Sequence, residues 1–162
     1  MRFMPYDRPR AIAYARQWAL KRNPDYLDFE ALGGDCTNFV SQCLLAGCGV
    51  MNETPLWGWY YHDAAHRAPA WTGVEYLYRF LTGNRGAGPY GAEVPLAQAQ
   101  PGDVAQLSFS RGRYTHTALI TAREGEELYL AAHTRDAWMR PLSAYAQPFQ
   151  RFIQIQGARK EI

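Results

Sequence analysis

An α+β fold, with helices first and antiparallel strands after them, is predicted by three observations on this chain of 162 residues. Apolar residues in the first half recur at helical spacing. From residue 101 onward, short β-rich runs are separated by turn residues. Between the two lies Gly83 to Gly91, with four glycines and one proline in nine residues, which reads as a flexible connection. Helices followed by runs of strands make an α+β domain.

The first helix is expected over Arg8 to Lys21, with Ile12, Ala15, Trp18 and Ala19 as its apolar stripe and Asn23-Pro24 ending it. Gly33-Gly34 then break the chain, and Asp35 is a good N-cap whose carboxylate can accept from the N–H of Asn38 or its neighbour. A second helix follows from Cys36 to about Ala46, stopped by Gly47 and Gly49, with Cys36, Phe39, Val40, Cys43 and Leu44 on one face. Val50 to Ala70 is irregular and aromatic, and is expected to be a long surface loop. Trp71 to Leu81 reads as a third helix, with Trp71, Val74, Leu77, Tyr78 and Leu81 at helical spacing and Thr82-Gly83-Asn84 as its end. Pro101-Gly102-Asp103 makes a turn before strands at Val104 to Phe109, Tyr114 to Ala122, Leu128 to His133 and Phe152 to Gln156.

Hydrophobic content of 48% over this length fits one domain spanning 1–162 with a real core. A net charge of +2 without a run of basic residues argues against a nucleic-acid partner. No apolar stretch approaches the roughly 18 residues of a membrane span, and the start Met-Arg-Phe-Met-Pro-Tyr lacks the apolar core of a signal peptide. The expectation is a monomer without a membrane span, cytoplasmic unless it is part of a longer exported protein. Cys36, Cys43 and Cys48 are too few for a disulfide framework and match no Cys-x-x-Cys zinc pattern. A metal site would have to be assembled from His116, His133 and Cys36, a weaker reading than nucleophilic chemistry, and no cofactor is expected.

That chemistry starts at Cys36. A thiol at a helix start meets unpaired N–H groups and the positive end of the dipole, which lower a cysteine pKa from about 8.5 toward roughly 3.5–7.5. A base is expected from the strands. If the turn centres on Glu124-Gly125, His116 and His133 are directly opposed on one face of a hairpin; a one-residue slip would separate them. His116 would then take the thiol proton, and His133 would hold its tautomer. Asp136 and Asn38 are alternatives for that third position, and Tyr14 and Gln42 are candidate oxyanion donors. Trp57 and Trp59, in an aromatic cluster, and Asp35, beside the thiol, are candidate substrate contacts; packing is an equally good reading of the tryptophans.

These residues resemble a known family, the putative amidase domain related to the NlpC/P60 peptidases among the papain-like cysteine hydrolases. The resemblance rests on Tyr14-Ala15 and Trp18, Asn23-Pro24, the segment Gly34-Asp35-Cys36-Thr37-Asn38-Phe39-Val40-Ser41-Gln42, and Trp57 to Tyr61 before Trp71. It continues through Pro101-Gly102-Asp103-Val104, His116-Thr117-Ala118-Leu119-Ile120 and Ala132-His133-Thr134. It implies a papain-like fold with N-terminal helices packed on an antiparallel sheet, and hydrolysis of an amide bond by Cys36, His116 and His133. The substrate it implies is a peptide or amide, with peptidoglycan stem peptides as the NlpC/P60 precedent. A catalytically inactive module binding a peptide or glycan is the alternative.

Overall fold

The computed structural model describes residues 1–162. Nine strands and four α-helices follow in the order β1 (Arg2–Met4), α1 (Arg8–Trp18), α2 (Cys36–Cys48), β2 (Tyr61–Asp63), β3 (His66–Arg67), α3 (Pro69–Thr72), α4 (Val74–Gly83), β4 (Gly88–Val94), β5 (Val104–Ser108), β6 (His116–Glu124), β7 (Glu127–Ala132), β8 (Ala137–Pro141) and β9 (Phe149–Lys160). The α+β class is as the sequence predicts. Seven strands form one antiparallel sheet in the order β1-β9-β5-β6-β7-β8, with β4 also paired to β9.

Period-2 alternation divides the sheet residues between two cores. Val104, Leu119, Ala131, Ile153 and Ile155 face the helices, while Ala105, Leu107, Ala118, Ile120, Leu130 and Phe152 pack into a second cluster on the opposite face. Helix α2 lies at the centre of the first. Eleven of its thirteen residues are buried, so it is enclosed all round rather than on one face. Its polar side chains are therefore paired, as burial demands. Ser41 Oγ donates to the Trp71 carbonyl and accepts from Trp59 Nε1, and Tyr14 donates to Gln42 Oε1 at 2.6 Å. The helix ends where Gly49, at φ 72°, takes the left-handed position and returns its N–H to the Leu45 carbonyl.

Several expectations are corrected. The stretch from Val50 to Ala70 is anchored by an Asn52–Trp59 bridge and the β2–β3 hairpin, so it is not a free loop. The third helix is two, because Gly73 is extended (φ −111°, ψ 130°) between α3 and α4. The glycine-rich connection contains β4, which pairs along β9 with a bulge at Tyr90/Gly91. The β6–β7 turn pairs Glu124 with Glu127, so Gly125 (φ 60°) and Glu126 occupy its centre. A bulge between Ile120 and Ala122 follows, and Leu119 ends opposite Ala131. That is one residue away from the pairing that opposes His116 and His133, and it sends them to different faces of the sheet.

Candidate active site

Helix α2 begins where β6 begins. Thr37 Oγ1 and Thr117 Oγ1 are hydrogen-bonded at 2.9 Å, which clamps the first turn of the helix to the residue after His116. Cys36 is 7% exposed, and its sulfur lies 3.8 Å from Thr37 Oγ1, with the backbone of Thr117 and Thr37 as neighbouring donors that favour a thiolate. Burial nevertheless pushes the thiol above its ordinary value, because desolvation of a thiolate outweighs these donors. The expectation of a lowered thiol pKa is thus corrected. A helix start lowers a cysteine pKa only when the thiolate is not stripped of water to this degree.

His116 is 8% exposed and shares the sheet face of Ala118 and Ile120. Its imidazole makes no hydrogen bond to the protein. It lies with its ring centroid 6.1 Å from that of Tyr145, in a cavity of about 370 Å³ lined also by Thr134, Arg135 and Arg140. Burial, with a contribution from the Arg140 charge, pulls it down to about 4. The sulfur of Cys36 does not line this cavity. In the free protein the two groups are therefore a thiol and a neutral imidazole.

His133 stands elsewhere. Its Nδ1 faces Asp35 Oδ2 at 2.5 Å, its Nε2 faces the Trp18 carbonyl at 2.8 Å, and its ring stacks on Phe39 at 4.2 Å. Both ring nitrogens thus meet an oxygen, a carboxylate on one side and a carbonyl on the other. His133 joins the end of α1 to the start of α2, and it does not hydrogen-bond His116. Asp35 caps no helical N–H through its side chain. It instead accepts from the Phe29 N–H and Asn38 Nδ2 as well as His133, and it is wholly buried. Burial alone would raise its carboxyl, but the bonds from His133, Phe29 and Asn38 bring it below its ordinary value. Arg22 closes the arrangement, with Nε 3.6 Å from Asp35 Oδ2 and two hydrogen bonds to Asp136.

The other candidates for the third position are also engaged. Asp136 is held by Arg22. Asn38 donates to Leu27 O and Asp35 and accepts from Trp71 Nε1. Trp59 is corrected from a substrate contact to a core residue: it is 0% exposed, stacked on Phe80 and 4.6 Å from Trp71. Trp57 is 68% exposed and lines a separate cavity with Leu56, Tyr76 and Arg79. Arg140 and Tyr145, the neighbours of His116, carry no motif and lie 24 and 29 residues beyond it. Only the pairing of β8 with β7 brings them in. No group of three or more His, Cys, Asp or Glu side chains is arranged to hold a metal ion, and no helix is long and apolar enough to cross a membrane.

Comparisons with known proteins extend the reading. The chain is 35% identical over 144 residues to the uncharacterized protein YhbB of Bacillus subtilis (strain 168), covering 86% of this chain and 45% of that protein. It is 28% identical over 137 residues to the uncharacterized protein YjcM of the same organism, covering 80% of this chain and 31% of that one. The chain thus spans less than half the length of these curated relatives. No solved structure matches it. Residues 5–155 match the family described as "Putative amidase domain", and the chain belongs to that family.

Proposed function

We propose that the protein is a cysteine-dependent amide hydrolase, carried by one domain over 1–162, in which Cys36 is the nucleophile and His116 the base. The observation that carries this reading is the docking of α2 on β6, in which the Thr37–Thr117 hydrogen bond ties the residue after Cys36 to the residue after His116 while the imidazole makes no hydrogen bond to the protein. Membership of the amidase family supports the reaction class. The papain-like likeness of the segment Asp35 to Gln42 supports the choice of nucleophile.

In this mechanism the imidazole of His116, which makes no hydrogen bond to the sulfur in the free protein, must first move onto it. Neutral His116 then takes the thiol proton as sulfur attacks the carbonyl carbon, and the C–N bond breaks as the imidazolium returns that proton to the departing amine. Water, deprotonated by His116, then attacks the thioester. The C–S bond breaks, the acid leaves and the thiol is restored. The Cys36 N–H at the helix start is an oxyanion donor in this scheme. His133 has no catalytic step: with Asp35 it braces the helix that presents the thiol. Peptides are the substrates to try first, with peptidoglycan stem peptides among them because of the NlpC/P60 resemblance.

A second reading, a module that binds a peptide or glycan without turnover, is favoured by the burial of the sulfur and the absence of a sulfur–imidazole hydrogen bond. Incubation with a peptide panel, followed by intact-mass measurement, separates the two. An acyl adduct on Cys36, removed by hydroxylamine and absent from a folded Cys36→Ala variant that no longer hydrolyses the peptide, supports the hydrolase. Undiminished hydrolysis by Cys36→Ala refutes it.

A further inference from the structure

The cavity beside His116 is built unlike the rest of the surface. Two of the residues that line it carry a buried polar atom without a hydrogen-bond partner, Nε of Arg140 and the hydroxyl of Tyr145. Buried donors left unpaired are costly, so each calls for an acceptor that a ligand could supply. Both are held in place. Arg140 Nη2 donates to the Ala144 carbonyl at 3.0 Å, and the guanidinium lies over the Tyr145 ring at 4.7 Å.

The charge around the cavity has one sign. Arg135 and Arg140 line it, and no carboxylate does. The acidic residues nearby are taken up elsewhere: Arg22 gathers Asp28, Glu30, Asp35 and Asp136 within 4 Å, and Thr134 Oγ1 donates to Glu30. Thr134 and Arg135 both sit at φ 61°, a left-handed conformation that is costly for a β-branched residue and is found at ligand clamps more often than elsewhere.

We propose that this cavity is a carboxylate-binding subsite, in which Arg140 Nε and the Tyr145 hydroxyl hold a free carboxylate of the ligand within reach of His116. Two donors on rigid carriers match the two oxygens of a carboxylate, and a charge-assisted pair in a half-buried site is strong. The inference deepens the hydrolase reading by naming its substrate class: a peptide or N-acyl amino acid with a carboxylate next to the bond to be cut. It also has a consequence for the base. Burial is the larger cause of the lowered His116 pKa and the Arg140 charge the smaller; a carboxylate bound to Arg140 offsets the second, so the anionic ligand raises the basicity of the ring part of the way.

The test uses N-acetylglycine and N-acetylglycinamide, which differ only in charge, on the full chain carrying Cys36→Ala so that no turnover intervenes. NMR of the His116 ring nitrogens reads both binding and protonation. The expected result is saturable shifts with N-acetylglycine, a rise of the His116 titration midpoint from about 4, and at least tenfold weaker binding of the amide. Arg140→Gln and Tyr145→Phe, checked for unchanged thermal melting, should each weaken the acid and leave the amide unaffected. Equal binding of acid and amide, or no response of His116 to either, overturns the subsite. Because the readout does not require the thiol, these outcomes are independent of whether Cys36 proves to be a nucleophile.

Discussion

Acid should destabilise this protein through His116, by an amount that the structure fixes. The ring titrates near 6.5 in an unfolded chain and near 4 when folded, so between these values the unfolded state binds the extra proton. Stability therefore falls as pH falls through this window. At pH 5 the unfolded ring is almost fully protonated and the folded one barely so, a difference of about 2 kcal/mol against pH 7.5, rising to about 3 kcal/mol at pH 4. Because the side chain is almost wholly buried, little of this is lost to solvent screening. Asp35 does not contribute in the same range. Its lowered pKa gives stability that is complete above the ordinary carboxylate value of about 3.9 and is lost only below it. Asp103, whose carboxyl is raised by burial, works in the opposite sense to both. The assay is urea unfolding at pH 7.5 and pH 5 for the wild type and His116→Gln, in which every other group is common to both. The wild type should lose about 2 kcal/mol more than the variant between the two pH values, or about 4–8 °C in melting temperature for a chain of this size. Equal acid losses in the two proteins would refute the argument that the imidazole is buried and neutral.

Three further outcomes follow from the same geometry. Asp35→Asn replaces the carboxylate oxygen that faces His133 Nδ1 with an amide group while keeping an oxygen for the Phe29 N–H, and should cost about 3–5 kcal/mol in chemical denaturation, because one partner of a buried pair is left behind. Trp59→Ala should cost about 3–5 kcal/mol, whereas Trp57→Ala, at an exposed position, should stay within about 0.5 kcal/mol of the wild type. Iodoacetamide should label Cys36 slowly at pH 7 in the free protein, with a rate that rises only above the ordinary thiol range; rapid labelling near pH 6, located by peptide mass mapping, would contradict the burial of the sulfur.

The parts of this fold that were legible in the sequence are those set by local rules. The Cys36 helix start, the switch from helical to period-2 spacing and the four later strands follow from side-chain pattern and turn residues, and all have counterparts in the structure. The burial of Trp59 and the closure of α2 on every side were not legible, since a pattern of one helix says nothing about what other segments will cover it. Strand β8 was hidden for a similar reason. Its residues Ala137 to Pro141 carry a methionine at φ 58° and only a partial alternation, and pairing with β7 rather than propensity makes them a strand. The site was half legible. Cys36 and His116 stand out as rare residue types, a thiol at a helix start and an imidazole in a strand, but Arg140 and Tyr145 are common types whose placement depends on that unannounced strand.

The most consequential error of a single residue lies in the β6–β7 turn. Centring it on Gly125-Glu126 rather than Glu124-Gly125 exploits the freedom of Gly125 at positive φ, and the bulge after Ile120 absorbs part of the shift. What remains separates the two histidines into opposite electrostatic settings. One has a carboxylate and a carbonyl on its two nitrogens; the other faces an arginine. The first is thereby committed to bracing α1 against α2, and it cannot also orient a base on the far face of the sheet. Beside His116 stand Arg140 and Tyr145 instead, and a cavity lined by two arginines and no carboxylate favours an anionic ligand, as proposed above.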